Sequence, residues 1–236
     1  MRTKDLVHRI RRTCPASAFS RGRTAGGVCF LALAMAQPAR GQEAVAILER
    51  ASARHEALDG FCANFHQVID VTLLGDTIAS RGELCQARSD RFDMRWSDPA
   101  GDRIVADGID LWVYFPSVDE GAVNRTRLTG AEGRFDLHRE FLSNPGERYD
   151  ATYIGTERAG GRPTYLVALR PTEPSPYRSA RIWIDTADYL IRKIEIEELD
   201  SENTRTVELT NIRLDPNLAA DHFRFDPPAG VQVITP

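Results

Sequence analysis

After its first few dozen residues the chain has no apolar run long enough to cross a bilayer, no surplus of positive charge, and only two cysteines, Cys62 and Cys85. The first absence removes a helical membrane span. The second removes the cationic footprint that nucleic acid requires. The third removes any cysteine-rich metal site. The histidines, His8, His55, His66, His138 and His222, never fall in a metal-binding spacing beside an acid, so no metal or other cofactor is expected. GxSxG, P-loop and GxGxxG motifs are also missing, which leaves no nucleophile elbow or phosphate cradle. Cys62 and His66 share one side of an extended segment, but no third group orients them as a catalytic pair. Glu195, Glu197 and Glu198 read as a solvated strand edge. The expectation is a protein without catalytic activity.

What is present begins with an export signal. Met1 to Thr24 carries Arg2, Lys4, Arg9, Arg11, Arg12, Arg21 and Arg23 against one acid, Asp5. The short apolar run AGGVCFLALAMA, Ala25 to Ala36, follows, with small-residue sites at Ala34-Met35-Ala36 and Ala39-Arg40-Gly41. This is the pattern of a secretory signal peptide. Val28 before Cys29 does not fit a lipobox, so the mature protein is expected to be free rather than lipid-anchored. The organisation read from this is a signal and cleavage region, 1–41, and one domain, 42–236. Cleavage after Gly41 removes eight basic residues and one acid and moves the formal charge from −4 to −11. An exported protein is expected to meet an oxidising compartment, where two remaining cysteines are first read as a disulfide.

The domain opens on EAVAILERASARHEAL, Glu43 to Leu58, where Val45, Leu48, Ala51 and Leu58 fall near a helical spacing and Asp59-Gly60 ends the run. Strand signals then dominate. Phe61, Ala63, Phe65, Ile69 and Val71 alternate with Cys62, Asn64, His66 and Asp70, and Gly75-Asp76 supplies a turn. Further strands are expected at 78–87, 91–96, 103–106, 110–115, 150–158, 163–170, 179–185, 189–199 and 204–213. Thr129 to Asn144 interrupts this rhythm as a short helical segment able to cap one mouth. The fold class is mainly β with α: one incomplete, strongly curved antiparallel half-barrel with an N-terminal helix and short lid helices.

The cysteine pair sets a geometric demand. Cys62 and Cys85 face each other if 61–71 and 78–87 form a hairpin whose partners sum to 147. Val71 then opposes Asp76 across Thr72-Leu73-Leu74-Gly75, with Gly75 available for a left-handed conformation. Both cysteines point away from the face that carries Phe61 and Phe65.

Four segments resemble a known family in order and spacing: FCANFHQV (61–68), GELCQARSDRFDM (82–94), ADGIDLWVYFP (106–116) and FRFDPPAGVQVI (223–234). They are similar to the periplasmic outer-membrane lipoprotein carrier protein (LolA) family. Leu111, Trp112, Tyr114 and Pro116 match its second hairpin, while Ser89 replaces a motif proline and the lid segment carries Arg134, Asp136, His138, Arg139 and Glu140. The resemblance implies a carrier that shields lipoprotein acyl chains. It implies triacylated lipoproteins as cargo, an inner-membrane lipoprotein-releasing ABC transporter as donor and an outer-membrane acceptor. The protein is expected to be a monomer. A lipid-binding acceptor or envelope-stress regulator of the same fold is the alternative. The implied acyl-chain contacts are Phe61, Phe65, Leu84, Phe92, Met94, Trp96, Leu111, Tyr114, Phe135, Leu137 and Phe141, and Arg88 is the implied lid-coupling residue.

Overall fold

The computed structural model describes residues 40–88, 91–128, 138–199, 203–219 and 221–235. They belong to one compact unit, Gln37–Pro236. Helix α1 (Arg40–Glu56) buries Ala44, Ile47, Leu48 and Ala51, one stripe at helical spacing. The expected helix began three residues later and ended two residues later, with Val45 and Leu58 on its apolar side. The 3.6-residue period instead turns Ala44 and Ile47 inward beside Leu48.

The strands are β1 (Gly60–Val71), β2 (Asp76–Ala87), β3 (Arg91–Asp98), β4 (Ala100–Asp107), β5 (Asp110–Tyr114), β6 (Ala122–Arg127), β7 (Tyr149–Ala159), β8 (Arg162–Pro171), β9 (Tyr177–Asp185), β10 (Ile191–Glu198), β11 (Thr204–Leu214) and β12 (Gln232–Ile234). A π-helical turn (His138–Leu142) and a short helix α2 (Pro145–Arg148) precede β7. All twelve strands form one sheet, ordered β12-β6-β5-β4-β3-β2-β1-β11-β10-β9-β8-β7, and its two edge strands do not pair with each other. Bulges in β3, β4, β7, β9, β10 and β11 interrupt the ladders and bend the sheet. The half-barrel expected from the sequence is therefore present. It has one parallel pair, β12 on β6. Neither of those strands was foreseen: AVNRTR has a single large apolar residue and QVI is too short to show a period.

The β1–β2 register is the predicted one. Cys62 opposes Cys85, Val71 opposes Asp76, and the two sulfurs are bonded. Gly75 sits at φ 68°, and its N–H donates to the Val71 carbonyl at 2.9 Å.

Cross-strand partners share a face. Phe65 lies opposite Leu209, and Gln67 opposite Val207, which opposes Ile194, then Ile182, then Val167. Two apolar clusters therefore lie on the same inner face. Over β8, β9 and β10 the cluster is covered by α1 and by Phe141 and Leu142 of the π-turn. Over β1 to β4 and β11 it consists of Phe61, Ala63, Phe65, Leu84, Phe92, Met94, Ile104, Ala106 and Leu209.

On the outer face the chain after β11 crosses the back of the sheet to reach β6. Phe223 packs on Cys62 and Cys85, so the disulfide is outward-facing yet buried. Phe225 lies against Trp112 and Tyr114, with ring centroids 5.6 and 5.8 Å apart. The His222 carbonyl accepts from Arg95 and Arg103, which both pair with buried Asp93.

Candidate functional site

The candidate site is the inner wall of β1 to β5 and β11. Alternation along β1 turns Phe61, Ala63 and Phe65 inward, and the register sets Leu84, Met94 and Ile104 in a row beside Ala63. Trp96, Leu111, Val113, Phe115, Leu128, Val207 and Ile212 are partly buried against this wall. Phe65, Trp96 and Phe115 form a chain of edge-on rings, 5.3 and 5.5 Å between centroids. Gly82 makes that chain possible: a Cβ there would lie 1.9 Å from the Arg95 carbonyl oxygen and 2.8 Å from the Phe65 ring. The glycine of GEL is thus a packing requirement of the wall.

Seven of the sequence-expected acyl contacts meet here: Phe61, Phe65, Leu84, Phe92, Met94, Trp96 and Leu111. Tyr114 does not. It opposes Arg103, one position out of phase with the inward pair Val113 and Ile104, so its ring faces outward. It serves the C-terminal crossing, and its hydroxyl donates to the Glu120 carbonyl at 3.3 Å. Phe141 is also elsewhere, buried in the cluster under α1 with Tyr177 6.1 Å away. Phe135 and Leu137 lie outside the described residues. Sequence reasoning missed Val207, Leu209 and Ile212. The first two follow the alternation of TVEL. Ile212 turns inward because Asn211 adopts a left-handed φ of 50° and shifts the phase.

Arg88 holds the end of α1. Its Nε donates to the Leu58 carbonyl at 2.9 Å and its Nη2 to the Glu56 carbonyl at 3.1 Å, and it pairs with Asp59 at 3.0 Å. These are last-turn groups that the helix itself leaves open. The π-turn is fixed through Glu140: the Tyr149 hydroxyl donates to its main-chain oxygen at 2.5 Å and the Tyr177 hydroxyl to its carboxylate. Burial, then the hydrogen bond to Glu140, pushes the Tyr177 hydroxyl far above its ordinary pKa, and burial raises Tyr149 as well. Both hydroxyls stay neutral donors.

A polar pair interrupts the wall. Ser80 opposes Gln67, and its Oγ accepts from Gln67 Nε2 at 3.3 Å and Trp96 Nε1 at 3.2 Å. Among the described residues no three His, Cys, Asp or Glu side chains group to hold a metal, and no helix is long and apolar enough to cross a membrane.

A family model described as "-like: Uncharacterized protein" matches residues 98–215, half of the chain. An outer-membrane lipoprotein carrier protein of Legionella pneumophila is 26% identical over 179 residues, covering 75% of this chain and 84% of its own length. Its counterpart in Halorhodospira halophila is 29% identical over 162 residues, covering 65% and 69%. The chain resembles the outer-membrane lipoprotein carrier proteins in sequence. Two solved structures share this fold at low identity. An uncharacterized conserved protein from Thermus thermophilus has a TM-score of 0.55 at 12% identity, covering 83% of this chain and 100% of that one. MucB has a TM-score of 0.51 at 18% identity, covering 82% and 66%. Within the stretches that resemble the carrier proteins, the structure gives the glycine, the aromatic wall and the C-terminal phenylalanines distinct physical jobs.

Proposed function

We propose that this protein is a periplasmic carrier that takes up the acyl chains of triacylated lipoproteins leaving the inner membrane and hands them on toward the outer membrane. The observation that carries this reading is the apolar inner wall, in which aromatic and aliphatic side chains of six strands converge on one face of an open sheet. Acyl chains gain about 0.8 kcal/mol for each CH₂ removed from water, so a wall of this kind is what a water-soluble carrier needs. The names of the relatives point to the same cargo. A lipoprotein-releasing transporter and an outer-membrane acceptor are the partners this role requires. The test is to add the purified mature protein to inner-membrane spheroplasts and measure lipoprotein in the soluble fraction. Release well above buffer is expected; release equal to buffer refutes the reading.

Arg88 fits a coupling role in this scheme, because it joins the turn after β2 to the end of the helix over the neighbouring cluster. Arg88→Leu is expected to load cargo normally and to slow transfer severalfold to an acceptor. Unchanged transfer kinetics would count against that role.

A further inference from the structure

We propose that Ser80, oriented by Gln67 and Trp96, is a binding site for an ester or amide carbonyl of an acylated ligand. This rests on the lipid-binding reading of the inner wall. Ser80 lies on that wall by register: it opposes Gln67, which opposes Val207 of the apolar cluster. Toward one end stand Phe65 and Leu84, fully enclosed. Toward the other stand Ile69 and Ile78, the latter 55% exposed, so the wall opens to solvent just beyond the serine. A ligand with its chains on the enclosed part therefore brings its polar junction to Ser80.

The hydrogen bonding fits that junction. A hydroxyl has two acceptor lone pairs and one proton. With the Gln67 amide turned so that Nε2 faces the serine, Gln67 and Trp96 donate to both lone pairs, which leaves the proton for another acceptor, and among the described residues none takes it. Ser80 is only 7% exposed, and a buried donor left unsatisfied is unfavourable. The geometry asks for an acceptor that brings no proton of its own, which describes a carbonyl oxygen. The set is neutral and offers nothing to balance a carboxylate. The nearby inner-face Arg205 is held by Glu198 at 2.8 Å. Ester carbonyls of a diacylglyceryl group and the amide carbonyl of an N-acyl chain share this chemistry.

The discriminating probes are dioctanoylglycerol and its dialkyl ether analogue, which match in chain length and differ in the carbonyls. Binding to the full mature protein is followed by titration calorimetry, with quenching of tryptophan fluorescence as a second readout. The wild type is expected to bind the ester about five- to tenfold tighter than the ether, the worth of one neutral hydrogen bond. Ser80→Ala is expected to bind both alike, at the affinity of the ether. Equal affinities in the wild type, which need no variant, overturn the proposal. So does a preference that survives in Ser80→Ala. If the folded wild type binds neither probe, the lipid-binding reading itself fails and the proposal falls with it.

Discussion

Asp185→Ala is expected to lose about 3–5 kcal/mol of folding stability, the usual cost of breaking a buried ion pair from one side. Asp185 is 0% exposed at the end of β9. Its carboxylate accepts from Arg162, from Arg192 Nε at 3.0 Å and from the Ala187 N–H at 2.9 Å. It closes the β9–β10 turn, whose Tyr189 takes a left-handed φ of 57°. Removing it leaves Arg192, itself largely buried, with Asp188 at 2.5 Å as its remaining acidic partner among the described residues. Burial opposes ionisation of Asp185, but the hydrogen bonds from Arg162, Ala187 and Arg192 outweigh it and hold its pKa at about 2. The folded value lies below that of an unfolded aspartate, about 3.9. The stabilisation is therefore full above about pH 4 and is lost as pH falls through about 2, a change of roughly 2 kcal/mol. Urea melts from pH 7 to pH 2 check both points. Asp185→Asn should lose this acid sensitivity along with stability; a variant as stable as wild type at pH 7 would show that the network contributes nothing.

Much of this was legible in the sequence, for identifiable reasons. The β1–β2 register was constrained three ways at once, by alternation, by a glycine turn and by two cysteines that had to meet, and such agreement between levels is what fixes a fold. The wall on β1 to β3 followed from the same period of two. That period also held information that went unused. Leu111 and Tyr114 stand three residues apart in one strand and so face opposite sides. Grouping both as acyl contacts on family likeness overrode the alternation, and the structure turns Tyr114 outward against Phe225. Other features were not readable locally. Phe141 is recruited by α1, nearly a hundred residues upstream in the chain. The inward turn of Ile212 depends on one bulge. Ser80 looks unremarkable in TIASRGEL, and its meaning comes from Trp96 on the next strand.

Replacing both cysteines, Cys62→Ala with Cys85→Ala, is expected to lower stability by more than about 3 kcal/mol while leaving lipid affinity at 25 °C unchanged. The bond spans a sequence separation of 23, and closing a loop of that size in the unfolded chain is worth about 3 kcal/mol. The loss should exceed what loop closure alone predicts, because Phe223 packs on the two cysteines and anchors the crossing of the outer face. The affinity should hold because Cys62 and Cys85 point away from Phe61, Ala63 and Leu84, their neighbours on the inner wall. Differential scanning calorimetry and ester-probe titration on the same sample separate the two effects. An affinity that fell along with the melting temperature would mean that the outer crossing shapes the inner wall through β1 and β2. An unchanged melting temperature would mean that the backbone ladder and Phe223 already hold the hairpin without the bond. Peptide mapping under non-reducing conditions should first recover residues 62 and 85 in one linked fragment, since both sulfurs are buried and a reductant reaches them only through opening of the crossing.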